Sequence, residues 1–196
     1  RDIGGAAARA DPACCGNARC LCGSRAVNEL LADLADLADR QAIADQIHRY
    51  CRSVDRLDVA LGYTVFHEDA EADYGQQGYR GSGRGAIDWI CAAHADLLHH
   101  MHQAGNVLIQ LDGDRAGSET YVTATLRMAR AGKVMQIETH ARYCDRWSKR
   151  GGHWAIDRRE AVIEFDAIRE VTPMKSHAHA RRDRGDPSYA ALEIRP

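Results

Sequence analysis

No stretch of this chain stays apolar for the roughly 18 residues that a membrane-crossing helix needs. Nor is there a surplus of charge: the formal net charge is -2, so the electrostatic footprint of a nucleic-acid or anionic-membrane partner is missing. The opening residues, RDIGGAAARADPACC, lack the apolar centre of a secretory signal. A cytoplasmic location is therefore expected. The chain opens on Arg1 without an initiator Met, as a processed or truncated terminus would. Paired zinc-type spacing is absent as well. Cys14, Cys15, Cys20 and Cys22 crowd into CCGNARCLC, which contains no C-x2-C pair and has no second half downstream. Residues 1–28 are thus expected to be a flexible, low-complexity tail. The other three cysteines, Cys51, Cys91 and Cys144, fall in periodic apolar segments and fit small core residues in a reducing compartment.

What is present is enough for one domain. The chain has 196 residues, 45% hydrophobic and 28% charged, and a core of about 130 residues buries enough apolar surface to fold without staples. Residues 29–167 are expected to form that domain and 168–196 a polar, basic C-terminal extension. The first part is helical in period: Ile43, Ile47, Tyr50, Cys51 and Val54 recur at spacings of three and four. Short helices are expected over 59–66 and 86–98, separated by a glycine-rich turn that holds Gly78, Gly81, Gly83 and Gly85.

After residue 105 the period changes. Runs at 106–111, 118–128, 134–147 and 153–165 are separated by Asp112-Gly113-Asp114, Ala131-Gly132-Lys133 and Gly151-Gly152, which reads as an antiparallel meander. Helices first and strands afterwards is the α+β pattern. In the last run Trp154 and Ile156 share one parity while Ala161, Ile163 and Phe165 share the other. That slip predicts a β-bulge near 157–159.

Three segments carry a family resemblance: RQAIADQIHRYCRSVDRLD (40–58), GNVLIQLDGDRAGSETYV (105–122) and ARYCDRWSKRGGHWAIDRR (141–159). They resemble the SnoaL-like family of the nuclear-transport-factor-2-like superfamily, which includes polyketide cyclases, scytalone dehydratase, bile-acid 7α-dehydratase and hexachlorocyclohexane dehydrochlorinase. The resemblance implies a cone-shaped barrel: a curved antiparallel sheet wrapped around a long N-terminal helix and two shorter helices. It also implies site residues. Eliminating members share an Asp at the end of the first helix and a His before the first long strand, matched here by Asp55 and His102. The bile-acid dehydratase type adds a Tyr five residues before the Asp, a Tyr nineteen after it and an Arg on the last strand, matched by Tyr50, Tyr74 and Arg159. The dehydrochlorinase type has Lys where Tyr50 stands, which points away from haloalkanes and toward a hydroxylated or carbonyl-bearing substrate.

The residue types suit an elimination. Histidine is the usual base near neutral pH, an Asp on its other nitrogen fixes the tautomer, and Tyr or Arg can face a developing oxyanion. Each residue also has a plainer reading. Asp55 fits a solvated helix end, Tyr50 a packed core position and Tyr74 an ordinary strand aromatic. Tyr50 and Asp55 are about 140° apart on a helix, so only the resemblance groups them. Arg159 shares the parity of Ala161 and faces inward, where its partner is either a substrate oxygen or a core carboxylate such as Asp145 or Asp157. HHMH (99–102) invites a metal reading, but adjacent His99 and His100 point apart and no Cys or carboxylate follows at a confirming spacing, so no metal and no cofactor is expected. The expectation is a cofactor-independent dehydratase or isomerase for a small hydrophobic oxygenated substrate, assembled as a homo-oligomer, dimer or trimer. The alternative is a non-catalytic small subunit of a ring-hydroxylating dioxygenase, or a ligand-binding module of the same fold.

Overall fold

The computed structural model describes residues 16–76, 78–173 and 180–193, with side chains from residue 25 onward. Cys14 and Cys15 lie outside those residues, as do the side chains of Cys20 and Cys22, so the cysteine cluster does too. Helix α1 spans Gly16–Arg56, so its start falls inside the segment expected to be a tail. The chain divides into two compact units, Arg1–Ala38 and Asp39–Pro196. In the first, residues 25–38 are helical and largely exposed, with Leu30, Leu34 and Leu37 on the surface.

In the second unit the same helix buries Ile43, Ile47, Tyr50, Cys51 and Val54, the five residues that set its apolar period. It ends where Leu57 takes a left-handed φ of 53° and the Asp58 amide donates to the Ser53 carbonyl at 2.8 Å, a common way to satisfy last-turn carbonyls. Asp58 then caps α2 (Val59–Tyr63) by accepting from the Leu61 amide. Strand β1 (Phe66–Asp73) and the three-residue β2 (Arg80–Ser82) follow. Ser82 caps α3 (Gly83–His94). Gly83 is required there, since a Cβ would stand 2.4 Å from the Phe66 ring.

The meander is longer than its apolar runs: β3 is His99–Asp112, β4 Arg115–Arg130, β5 Lys133–Arg150 and β6 His153–Val171. Ala131-Gly132 and Gly151-Gly152 place consecutive residues at positive φ, the backbone of the tight primed hairpin turns. The sheet order is β2-β1-β6-β5-β4-β3. All neighbours are antiparallel except β1 and β6, which run parallel. The class is α+β as expected, but the sheet is curved and open, not a closed barrel. Among the described residues the edge strands β2 and β3 do not pair with each other.

The parity slip in β6 is a bulge. Arg146 pairs with Arg158 and Trp147 with Ile156, leaving Asp157 out of the ladder. A second one at Glu164 was not expected: Ala141 pairs with Ile163 but His140 with Phe165, so Phe165 turns to the outer face while Ala161 stays in the core.

β6 continues past residue 167 to Val171. The segment from Ala180 belongs to the same compact unit as the sheet and lies against the α1–α2 corner and the end of α3. Asp186 caps α4 (Pro187–Leu192) and pairs with Arg56 at 2.9 Å. Tyr189 donates to Asp58, and Arg182 donates to the carbonyls of His94, Ala95 and Leu97. No helix among the described residues is long and apolar enough to cross a membrane.

Candidate active site

Asp55 sits on the last turn of α1 and His102 on the inward side of edge strand β3. The Asp55 carboxylate accepts from the His102 backbone N–H at 3.0 and 3.1 Å and from Nδ1 at 2.7 Å. Both side chains are buried, 10% and 6% exposed. A carboxylate can only accept, so Nδ1 carries a proton, and in the neutral imidazole the lone pair is then on Nε2. Among the described residues Nε2 has no hydrogen-bond partner. A buried imidazole with a fixed tautomer and a free basic nitrogen is the form a general base takes.

Two more histidines flank it. The His94 ring lies 5.5 Å from that of His102, nearly parallel at 26°, and 4.8 Å from that of His100. His100 Nε2 donates to the Val54 carbonyl at 3.0 Å. Burial, helped by the neighbouring imidazoles, pushes His94 down to about 3, and burial lowers His100 as well. Among the described residues no group of three His, Cys, Asp or Glu is arranged to hold a metal ion.

The other three expected residues meet in a second cluster. Arg159 donates through Nε and Nη2 to the two oxygens of Asp145 at 2.8 and 2.7 Å, and both side chains are 0% exposed. The pairing follows from register, since Asp145 is directly opposite Arg159. Asp157, the other proposed partner, binds Ser148 and Arg150 instead. The Tyr50 and Tyr143 rings each stand 4.1 Å from the guanidinium carbon, and the Tyr50 and Tyr74 hydroxyls share a 2.7 Å hydrogen bond. Burial raises the pKa of all three tyrosines, so they stay protonated donors. Burial opposes the charge on Arg159, but Asp145 together with Tyr74 and Tyr50 outweighs it and holds the guanidinium well above its ordinary value. Arg159 Nη1 is buried and without a partner among the described residues.

The structure therefore brings Asp55 to His102, and Tyr50 to Tyr74 and Arg159. The 140° between Tyr50 and Asp55 lets one helix serve both clusters. Cys51 lies between them. It feels the charges of Arg159 and Asp55, and burial pushes its thiol up to about 11. Sequence reasoning missed Tyr143 and His94. Tyr143 was findable, since it shares the inward parity of Asp145. His94 gave no signal.

The SnoaL-like domain model matches residues 35–160, well over half of the chain. The chain belongs to the SnoaL-like family. Among solved structures of similar fold, a hexachlorocyclohexane dehydrochlorinase (LinA, type 2) is 19% identical with a TM-score of 0.63, over 74% of this chain and 97% of that one. A scytalone dehydratase candidate from Novosphingobium aromaticivorans is 20% identical with a TM-score of 0.60, over 73% and 97%. A Mycobacterium tuberculosis protein of unknown function is 25% identical with a TM-score of 0.57, over 66% and 74%. No curated protein is similar in sequence. At such low identity the dehydrochlorinase and the dehydratase support the fold and leave the reaction to the site.

Proposed function

We propose that this SnoaL-like protein is a cofactor-independent lyase of the dehydratase type, or an isomerase, acting on a small hydrophobic oxygenated substrate. The observation that carries the reading is the 2.7 Å contact between Asp55 and His102 Nδ1, which leaves Nε2 as a base. In the dehydratase form, His102 Nε2 takes a proton from the carbon next to a carbonyl, and the electron pair moves onto the carbonyl oxygen as an enolate. Collapse of the enolate forms the C=C bond and expels the β-hydroxyl, which takes a proton from the imidazolium and leaves as water. Tyr50, Tyr74 and the unpartnered Nη1 of Arg159 are the donors assigned to the enolate oxygen. An isomerase returns the same proton to another carbon.

The test is a panel of β-hydroxy-carbonyl steroids and polyketides, followed by conjugated-enone absorbance. One substrate should be turned over by the wild type and lost in His102→Ala. Equal turnover by both would return the dyad to a structural role.

The ligand-binding alternative draws on one feature: Arg159 is already neutralised by Asp145 and enclosed by aromatic rings, as a purely structural cluster would be. The chain is further read as a cytoplasmic homo-oligomer, dimer or trimer, joined through the outer sheet face, where Leu108, Tyr121 and Phe165 are exposed.

A further inference from the structure

Where the C-terminal segment passes the edge strand β3 there is a cleft of about 560 Å³. Leu98 and Met101, which are 44% and 50% exposed, supply its apolar lining. Arg56, Arg127 and Arg182 line the same cleft, and Arg127 shares a sheet face with Met101, since His99 pairs with Arg127 and Met101 with Thr125. Asp55 is the one carboxylate among the described lining residues, and His102 already occupies it. The three guanidiniums differ in what balances them. Arg56 is paired with Asp186. Arg182 is half-buried and held by three backbone carbonyls, and Arg127 donates to the amide oxygen of Gln136. Neither has a carboxylate partner among the described residues. Burial and the nearby charge of Arg56 both disfavour the charged form of Arg182, as expected where positive charge gathers without compensation. Desolvated guanidiniums are normally paired.

We infer that this cleft binds an apolar molecule through a single anionic group, a carboxylate or a phosphate, seated between Arg127 and Arg182 with its hydrocarbon along Leu98 and Met101. The inference rests on the reading of Asp55 and His102 as the reacting end of the same site, since Asp55 is the residue that dyad and cleft share. It narrows the substrate from a neutral oxygenated hydrocarbon to an amphipathic acid.

Calorimetric titration of the full chain with dodecanoate, dodecyl phosphate and dodecanol tests it, each below its micelle concentration. One charge-assisted hydrogen bond corresponds to about tenfold or more in affinity, so at least one of the two anions should bind that much tighter than the alcohol. The anion that wins identifies the headgroup. Added salt should narrow the gap. Arg127→Gln should narrow it too without disturbing the C-terminal segment. Arg182→Gln removes the second cation, and amide exchange across 180–193 reports whether that segment stays docked.

Equal binding of the alcohol, binding of none of the three, or an anion preference untouched in the Arg127→Gln/Arg182→Gln double variant overturns the inference. His102→Ala should keep the preference. If it does while turnover is also unaffected, the base reading fails and the anion site stands.

Discussion

Removing the Asp145 carboxylate strips the Arg159 guanidinium of both its hydrogen bonds in a place closed to bulk solvent. Nε and Nη2 each lose an oxygen at 2.8 and 2.7 Å, and Nη1 already lacks a partner among the described residues. Both side chains are 0% exposed, so screening offers no relief. Breaking one side of such a pair costs about 3–5 kcal/mol, because an uncompensated charge is left in the core. The rings of Tyr50 and Tyr143 at 4.1 Å return part of this, since a desolvated cation–π contact is worth about 2 kcal/mol. Asp145→Ala is therefore expected near the lower end, about 3 kcal/mol. In urea, at a mid-range slope of about 2 kcal/mol per molar, the unfolding midpoint followed by circular dichroism should fall by about 1.5 M. The double change Asp145→Leu/Arg159→Met should recover most of the loss, since an apolar pair of similar volume carries no desolvation cost. A midpoint shift below about 0.5 M for Asp145→Ala would refute the reasoning, as would a double variant no better than the single one.

Other consequences follow from the same contacts. His94 is held to a folded pKa of about 3 by burial, below the unfolded value of about 6.5. Its contribution to stability is present above about pH 6.5 and is lost as pH falls toward 3, where the unfolded chain binds the proton more readily. Melting temperatures from pH 7 to 4 should thus decline less steeply in His94→Gln than in the wild type, and parallel curves would contradict this. Light scattering at micromolar concentration should report a dimer or trimer, and Phe165→Glu on the outer face should shift it toward monomer. A wild-type monomer would remove the sheet-face interface.

Much of the fold was legible because apolar period and turn chemistry agreed. Ile43 to Val54 gave the buried face of α1, and Ala131-Gly132 and Gly151-Gly152 marked two hairpins. The parity of Trp154 and Ile156 against Ala161 exposed the bulge at Asp157. The second bulge, at Glu164, was hidden because Ile163 and Phe165 are both large and apolar. Phe165 therefore read as core, and the ladder turned it outward. The starts of α1 and β3 were also invisible: alanines, glycines and cysteines at 16–28 lack an apolar stripe, and the histidines at 99–102 carry no strand signature.

The site divides in the same way. Arg159 facing inward followed from parity, but its partner stayed open between a substrate oxygen, Asp145 and Asp157 until the strand register set Asp145 opposite it. That Asp55 and His102 meet could not follow from spacing, since they are 47 residues apart on a helix and a strand, and only the family resemblance paired them. Neither route could find His94, whose place depends on how α3 packs beside β3.

The central claim is that His102 Nε2 removes a proton from carbon, and isotope exchange tests this without a leaving group. A saturated ketone of the class that the wild type turns over, lacking the β-hydroxyl, is incubated in D2O and its α-proton signal followed by NMR. General base catalysis is worth about 10²–10⁴-fold. The wild type should therefore exchange the α-proton at least about a hundredfold faster than His102→Ala, with Asp55→Asn also impaired and both variants still folded. Equal exchange rates in the wild type and His102→Ala would contradict the account.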